Sequence, residues 1–154
     1  MRRTLLKAAY ALYGLKWRLL RPLTLGVRLM LIQDGAILLI RHSYQDDWNF
    51  PGGGVKRGES LREAALREAR EEVGALVLDE PWLQGIYTNF QGGKSDHVAL
   101  FVSESYSLET PSDRWEIEAR ALFALDALPA VESGTIQVRV WEYLAGMRGL
   151  NKKW

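Results

Sequence analysis

Three glutamates of this 154-residue chain are spaced so that one predicted helix would bring them together. Glu68, Glu71 and Glu72 follow the spacing i, i+3, i+4, which at about 100° per residue places them on one arc of a helix. Like charges at these spacings weaken a helix by about 0.2–0.5 kcal/mol per pair. Two interpretations are open. The arc is either a solvated face balanced by arginines such as Arg67 and Arg70, or a site where a divalent cation collects the carboxylates. Mg²⁺ prefers oxygen ligands and commonly bridges carboxylates to phosphates.

The residues around these glutamates complete a longer pattern that runs from Gly53 to Ala75. It reads G-x5-E-x7-R-E-U-x-E-E-x-G-U, where U is an aliphatic or small apolar residue, and every defined place is filled. With each residue type at roughly 7%, a chance match is on the order of one in a hundred million per window. The segment Trp48-Asn49-Phe50-Pro51-Gly52 leads into the pattern. The pattern resembles the Nudix box, and the chain resembles the Nudix hydrolase family.

The resemblance implies a metal site built from the helix and the glycine loop before it. The expected ion is Mg²⁺, with Mn²⁺ as the alternative. The expected ligands are two backbone carbonyl candidates and three carboxylates: Gly52, Gly53, Glu68, Glu71 and Glu72. Glycines suit such a loop, because without side chains its backbone can approach an ion and phosphates closely.

The resemblance also implies catalytic roles for Arg67, Glu68 and Glu72. Arg67 is expected to pair with Glu59 and so to tie the loop to the helix. Many family members take one more carboxylate from outside the box, as a metal ligand or general base. Glu116 stands at the matching place, and Glu118 is the alternative. We expect these two side chains to face opposite sides of a strand, so that only one serves the site.

The function implied by the resemblance is Mg²⁺-dependent hydrolysis of a pyrophosphate bond by attack of water at phosphorus. The substrate would be a nucleoside diphosphate linked to another moiety: a nucleoside triphosphate, a nucleotide sugar or a dinucleotide. The alternative is a Nudix-like module, in one version associated with a membrane surface, that binds nucleotides without hydrolysing them. An intact box favours the enzyme.

Four residues outside the box are candidates for contact with the substrate. Trp48, Tyr87, Asn89 and Phe90 could stack on a base or form a hydrogen bond with it. Packing in the core is the competing interpretation for each aromatic ring.

Composition excludes several other classes of site. The chain has no cysteine, which excludes disulfides, thiolate metal sites and cysteine nucleophiles. Its two histidines, His42 and His97, make a histidine-rich zinc site a poor interpretation. A net charge of +1 indicates no specific nucleic-acid partner, so the expected partner is a small nucleotide.

Residues 1–21 are predicted to form an amphipathic helical extension, and residues 22–154 the Nudix domain. Arg3, Lys7 and Arg18 belong to a narrow polar stripe on the predicted helix, and leucines and aromatic residues cover most of the rest. The helix could pack on its own domain, form a homodimer through a second subunit, lie on a membrane surface, or be a secretory signal. Lys7 and Lys16 interrupt the apolar run, which argues against export. We expect a cytoplasmic protein, with peripheral membrane binding as the alternative.

The remaining pattern predicts an α/β fold, a Nudix-like α/β/α sandwich around a mixed β-sheet. Asp34-Gly35 between two β-rich runs predicts a hairpin, and the apolar run 37–40 predicts a strand buried on both faces. A helix is predicted over 60–73 and another over 135–147, the latter with Ile136, Val140 and Leu144 on one face. Further strands are predicted over 76–78, 84–88, 96–103 and 116–123.

Overall fold

The structure, a computed structural model, describes residues 23–90, 95–112 and 115–154. The predicted N-terminal helix therefore lies outside the described residues, and so do positions 91–94 of the loop predicted near Gly92. In chain order the described elements are β1 (Leu23–Gln33), β2 (Ala36–His42), β3 (Trp48–Asn49), α1 (Leu61–Val73), β4 (Ala75–Val77), β5 (Trp82–Asn89), β6 (Ser95–Ser103), β7 (Tyr106–Leu108), β8 (Ile117–Ala124), α2 (Thr135–Leu144) and β9 (Leu150–Lys153).

A mixed sheet of seven strands forms the centre of the domain. Six strands follow the order β3-β2-β1-β6-β5-β9, and β8 pairs with β2. The β1–β6 and β5–β9 pairs are parallel, and the others in this sheet are antiparallel. Strands β4 and β7 form a separate antiparallel pair. The hairpin predicted at Asp34-Gly35 is confirmed: both residues have positive φ, and Gln33 pairs with Ala36.

The two helices cover opposite faces of the sheet, because side chains alternate along the strands. Val27 and Leu29 of β1 pack with the buried alanines of α1, whereas Met30 packs with Ile136 and Val140 of α2. The α/β/α arrangement predicted from the sequence is thus confirmed. The run 37–40 is buried on both faces, also as predicted.

Local signals define α1 at both ends. At its start, Ser60 Oγ accepts a hydrogen bond from the Glu63 N–H at 3.2 Å, and the Glu63 carboxylate accepts one from the Ser60 N–H at 2.8 Å. At its end, Gly74 adopts φ 72°, the left-handed conformation that ends many helices. The capping box and the glycine cap predicted from the sequence are both present.

The C-terminal region departs from the prediction. Helix α2 ends at Leu144, three residues earlier than expected, and Leu144 is 60% exposed rather than buried with Val140. After the turn the chain adds β9 to the edge of β5, with Leu150 opposite Gly85. No strand was predicted there, since Asn151-Lys152-Lys153 lacks the β-branched and aromatic residues that mark strands.

Candidate active site

The site lies where the central sheet opens between β1 and β2. These strands pair only at their hairpin end, over Leu31–Gln33. Farther along β1, the Leu29 N–H donates to Pro51 O and the Val27 N–H donates to Gly53 O, each at 2.9 Å. The glycine loop therefore takes the place of a neighbouring strand and becomes part of the edge of β1.

Gly52 occupies the tightest point of this loop. Its φ is 147°, and a Cβ atom there would lie 2.1 Å from Val27 O. No other residue fits without moving the backbone of β1. The guanidinium of Arg28 donates to the carbonyl oxygen of Gly52, so this loop is held both along the strand and from a side chain.

Glu72 of α1 connects this helix to the glycine loop. Its side chain is buried, with 4% exposed, and its Oε2 accepts a hydrogen bond from the Gly52 N–H at 2.8 Å. Burial raises the pKa of Glu72 to about 8, because a carboxylate loses its hydration there. The Gly52 hydrogen bond and Arg28 act in the opposite direction, and the nearby charges of Glu68 and Glu116 add to the increase in pKa.

Arg67 forms the second connection between loop and helix. Its Nε and Nη2 donate to the two oxygens of Glu59 at 2.6 and 3.1 Å, and Nη2 also donates to Gly54 O at 3.1 Å. Nη1 donates to Glu68 at 2.7 Å and to Glu71 at 3.1 Å. The Arg67 hydrogen bond and that from the Lys56 N–H lower the pKa of Glu59 to about 2. The structure thus brings together Arg67 and Glu59, which the sequence predicted as a pair.

A cavity of about 600 Å³ opens in front of the loop. Carboxylates of Glu68, Glu72 and Glu116 line it together with Gly52 and Gly53. Its other polar or aromatic lining residues are Thr24, Arg28, His42, Tyr44, Gln45 and Asp96. Glu71 does not line this cavity. Its half-exposed carboxylate faces Arg67 and Lys56 instead.

The donor set fits a hard divalent cation in its chemistry, since it consists of carboxylate and carbonyl oxygens. A cation would also offset the cost of burying the Glu72 carboxylate. As the side chains stand, no three acidic or histidine residues in the described part of the chain enclose a cation. Glu68 and Glu71 each accept a hydrogen bond from Arg67, and the Gly53 carbonyl accepts one from the Val27 N–H of β1. The assignment of the five metal ligands therefore remains a prediction.

A β-bulge separates Glu116 from Glu118. Arg41 pairs with Ala119 and His42 pairs with Ile117, which leaves Glu118 as the extra residue of β8. Glu118 forms an ion pair with Arg41 at 3.3 Å, whereas Glu116 lines the cavity. We expected Glu116 and Glu118 to face opposite sides of a strand because of their spacing. That reasoning was wrong, because residues two apart share a face of a regular strand. The bulge and the position of Glu116 just before the strand account for the difference.

Comparison with known proteins identifies the family that has this arrangement. The model of the NUDIX domain matches residues 22–142. The chain belongs to the Nudix family. Hydrolysis of pyrophosphate bonds is the general activity of Nudix hydrolases, and they generally use divalent metal ions.

Relatives and solved structures agree with this assignment. The Nudix hydrolase YvcI of Bacillus subtilis (strain 168) is 34% identical over 89 residues, which are 54% of this chain and 55% of the relative. The RNA pyrophosphohydrolase of Hahella chejuensis is 50% identical over 41 residues, 27% of this chain and 26% of that protein. The chain thus spans about half, or less, of these relatives.

Two solved Nudix structures are each 25% identical in sequence to this chain. The MutT NUDIX hydrolase from Burkholderia pseudomallei has a TM-score of 0.69 and covers 78% of this chain and 97% of its own. A NUDIX hydrolase from Nitrosomonas europaea has a TM-score of 0.70, and the match covers 83% of this chain and 93% of that protein.

The four residues predicted to contact the substrate do not line the cavity of this Nudix domain. Tyr87 is fully buried and donates a hydrogen bond to Glu142 at 3.0 Å, which favours packing in the core over contact with the substrate. Trp48 packs edge-on against Phe123 in the core. Asn89 ends β5, and Phe90 follows it with 59% exposed. The competing interpretation, packing in the core, is correct for Tyr87 and Trp48.

The aromatic rings that do line the cavity were missed. His42 and Tyr44 stack with ring centroids 4.9 Å apart, and Arg28 reaches the cavity from β1. These residues lie 24 to 40 positions before Glu68 in sequence. The pairing of β1 with the loop brings Arg28 to Gly52. An arginine inside the otherwise apolar run 27–32 was the available signal. In the described part of the chain, no helix has the length and apolar character needed to cross a membrane.

Proposed function

We propose that this Nudix domain catalyses Mg²⁺-dependent hydrolysis of a pyrophosphate bond in a nucleoside diphosphate linked to another moiety. The observation that carries the proposal is one cavity that joins the glycine loop, Glu68 and Glu72 of the box, and Glu116 from a different element. Glu116 adds to this cavity a carboxylate from outside the box, next to the expected positions of the metal and the phosphates.

The metal site would consist of Glu68 and Glu72 with the loop carbonyls, and Glu71 would enter only after leaving Arg67. When bound, Mg²⁺, or Mn²⁺ in its place, supplies neutralisation of phosphoryl charge and a more acidic water. The protein supplies position and preset charge, which are the main contributions of a protein to phosphoryl transfer.

The chain's own groups have separable tasks in this proposal. Gly52 lets the loop backbone approach phosphate oxygens, and Arg28 places a positive charge at the cavity wall. Glu116 takes the proton of the attacking water, because it lines the same cavity as Glu68, Glu72 and the glycine loop. Glu68 is the next candidate for this task.

The substrate remains open among nucleoside triphosphates, nucleotide sugars and dinucleotides. The RNA pyrophosphohydrolases among the relatives add the 5′ end of RNA to the compounds worth testing. The proposed screen measures phosphate or nucleoside monophosphate release from each class and from capped RNA, with and without Mg²⁺. Hydrolysis in ¹⁸O-labelled water followed by mass spectrometry identifies the phosphorus that is attacked.

Matched variants make this screen decisive. Glu72→Gln should abolish metal-dependent release, whereas Glu80→Gln, an exposed glutamate outside the site, should not change it. Nucleotide binding without turnover in the wild-type protein across all classes would contradict the proposal and favour the non-catalytic binding module.

A further inference from the structure

The last residues of the chain lie against the residue that leads into the glycine loop. They fall beyond residue 142, where the match to the family model ends. The Trp154 N–H donates to Thr88 O at 2.9 Å, which continues the pairing of β9 along β5. The indole of Trp154 meets the ring of Phe50 edge-on, with centroids 6.4 Å apart at 79°, and that of Tyr87 at 5.6 Å and 72°. Both are favourable aromatic geometries.

Phe50 connects Trp154 to the glycine loop, because it directly precedes Pro51 and Gly52 in the chain. Its side chain is 1% exposed, and the next two residues form the hydrogen bonds that hold the loop. Pro51 O accepts from the Leu29 N–H at 2.9 Å, and the Gly52 N–H donates to Glu72 at 2.8 Å. A shift of the Phe50 ring would therefore move the backbone that carries the Gly52 carbonyl.

A buried polar network centred on Glu142 of α2 also holds β9 in place. Glu142 of α2 is 1% exposed, and it accepts hydrogen bonds from Tyr87 at 3.0 Å and from Lys152 of β9 at 3.2 Å. The guanidinium of Arg139 lies 4.1 Å above the Tyr87 ring. Arg139 also forms an ion pair with Glu142 at 3.2 Å. Because the local dielectric is low in a buried site, these polar contacts help to hold α2, β5 and β9 in one arrangement. The pairing of β9 with β5 and the contact of Lys152 with Glu142 therefore hold Trp154 in place against Phe50.

We propose that Trp154 is a positioning residue for the glycine loop and acts through Phe50. Trp154 does not itself line the cavity. It sets where Pro51 and Gly52 lie relative to Glu72. The kinetic part of this inference rests on the proposed function, because it assumes that the loop serves hydrolysis. The structural part does not depend on it.

Hydrogen exchange measured by NMR in the metal-free protein tests the structural part. Trp154→Ala should speed exchange of the Gly52 and Leu29 amides by roughly tenfold, since both depend on the loop position. The amide of Glu109, which donates to Gly74 O at the C-terminal end of α1 and not to the loop, is the internal reference. Trp154→Phe keeps a ring against Phe50 and should stay within about twofold of wild type.

The matched control is Trp141→Ala, which removes an indole that is 59% exposed on α2 and should leave all three amides unchanged. Unchanged exchange at Gly52 and Leu29 in Trp154→Ala would overturn the proposal. An equal acceleration at Glu109 would also overturn it, because it would mean a general loss of stability. If Trp154→Ala does not fold, Trp154→Leu keeps bulk without a ring and answers the same question.

Steady-state kinetics tests the kinetic part. Trp154→Ala should lower kcat by roughly tenfold with KM within about twofold, and Trp154→Phe should restore kcat. A higher KM with unchanged kcat would contradict positioning of the loop for the chemical step. If the wild-type protein hydrolyses none of the compounds, the proposed function fails while the exchange experiment still decides the role of Trp154.

Discussion

At the scale of single residues, Glu72 combines burial with a hydrogen bond that its side-chain oxygen accepts from the Gly52 N–H. Its pKa is about 8 in the folded protein, against an ordinary value of 4.5. The folded state therefore binds the proton more tightly than the unfolded state. The stabilisation is fully present below pH 4.5 and is lost as the pH rises through 8. The loss is bounded at about 5 kcal/mol, at about 1.4 kcal/mol per pKa unit.

We expect Glu72→Gln to remove this pH dependence, because glutamine keeps an acceptor for the Gly52 N–H and carries no charge. Without metal, in EDTA, the free energy of unfolding of the wild type should fall between pH 5 and pH 8, and that of Glu72→Gln should stay nearly level. Urea unfolding at several pH values measures both, with Glu80→Gln as the control. Parallel curves for Glu72→Gln and wild type would mean that another group titrates.

Glu116 and Glu118 offer a second test at this scale, since they are two residues apart but have different surroundings. Glu116→Gln should lower kcat by about a hundredfold or more and leave substrate binding intact, as loss of proton transfer does. Its pH–rate profile should lose the acidic limb. Glu118→Gln removes a partly exposed ion pair with Arg41, outside the cavity, and should remain close to wild type.

The reverse result for this pair is an impaired Glu118→Gln and an active Glu116→Gln. It would contradict the assignment of Glu116, rather than Glu118, to the active-site cavity. If both variants are active, Glu68→Gln becomes the decisive measurement of the general base.

At the scale of elements, Arg67 joins the glycine loop to α1 through a guanidinium that reaches three carboxylates and a carbonyl. Arg67→Lys should lower kcat by roughly tenfold or more, because an ammonium is a point charge and cannot span Glu59 and Glu68 together. The urea midpoint at pH 7 should fall as well. The pKa of Glu59, about 2, keeps this pair charged until the pH falls well below 4.5, where its stabilisation is lost.

Arg62→Lys is the matched control for Arg67→Lys, because Arg62 lies on the same helix and forms an exposed ion pair with Glu80. Equal losses in both variants would indicate a general weakening of α1. Unchanged activity in Arg67→Lys would show that catalysis does not depend on the connection that Arg67 forms between the loop and the helix.

Elements also show which parts of the fold and site were predictable from sequence. The ends of α1, the Asp34-Gly35 hairpin and the Arg67–Glu59 pair depend on residues close in sequence, and each prediction was correct. Strand β9, the bulge at Glu118 and the place of Arg28 depend on pairing between distant segments. Period-2 alternation assumes a regular strand, so it could not distinguish Glu116 from Glu118.

At the scale of the whole molecule, apolar side chains remain exposed where β1 begins. Leu23 is 76% exposed and Leu25 is 46% exposed, and both lie on the α1 face of the sheet. Phe90 is also exposed, and its ring meets His97, the partner of Leu25 in β6. Residues 1–21, whose sequence predicts an amphipathic helix, connect directly to this strand. The prediction that they cover apolar surface of this domain or of a second subunit stays open.

Deleting residues 1–20 tests that prediction with the full chain as reference. If the segment covers apolar surface, the truncated protein should aggregate or change its oligomeric state, because newly exposed apolar area favours association. The value of kcat should stay within about twofold, since none of the cavity residues is removed. Size-exclusion chromatography with light scattering measures the first property, and the release assay measures the second. A truncated protein that is monomeric, stable and soluble would contradict the covering role and favour a helix that binds a membrane surface. Co-sedimentation of the full chain with anionic liposomes would then show binding that the truncated protein lacks.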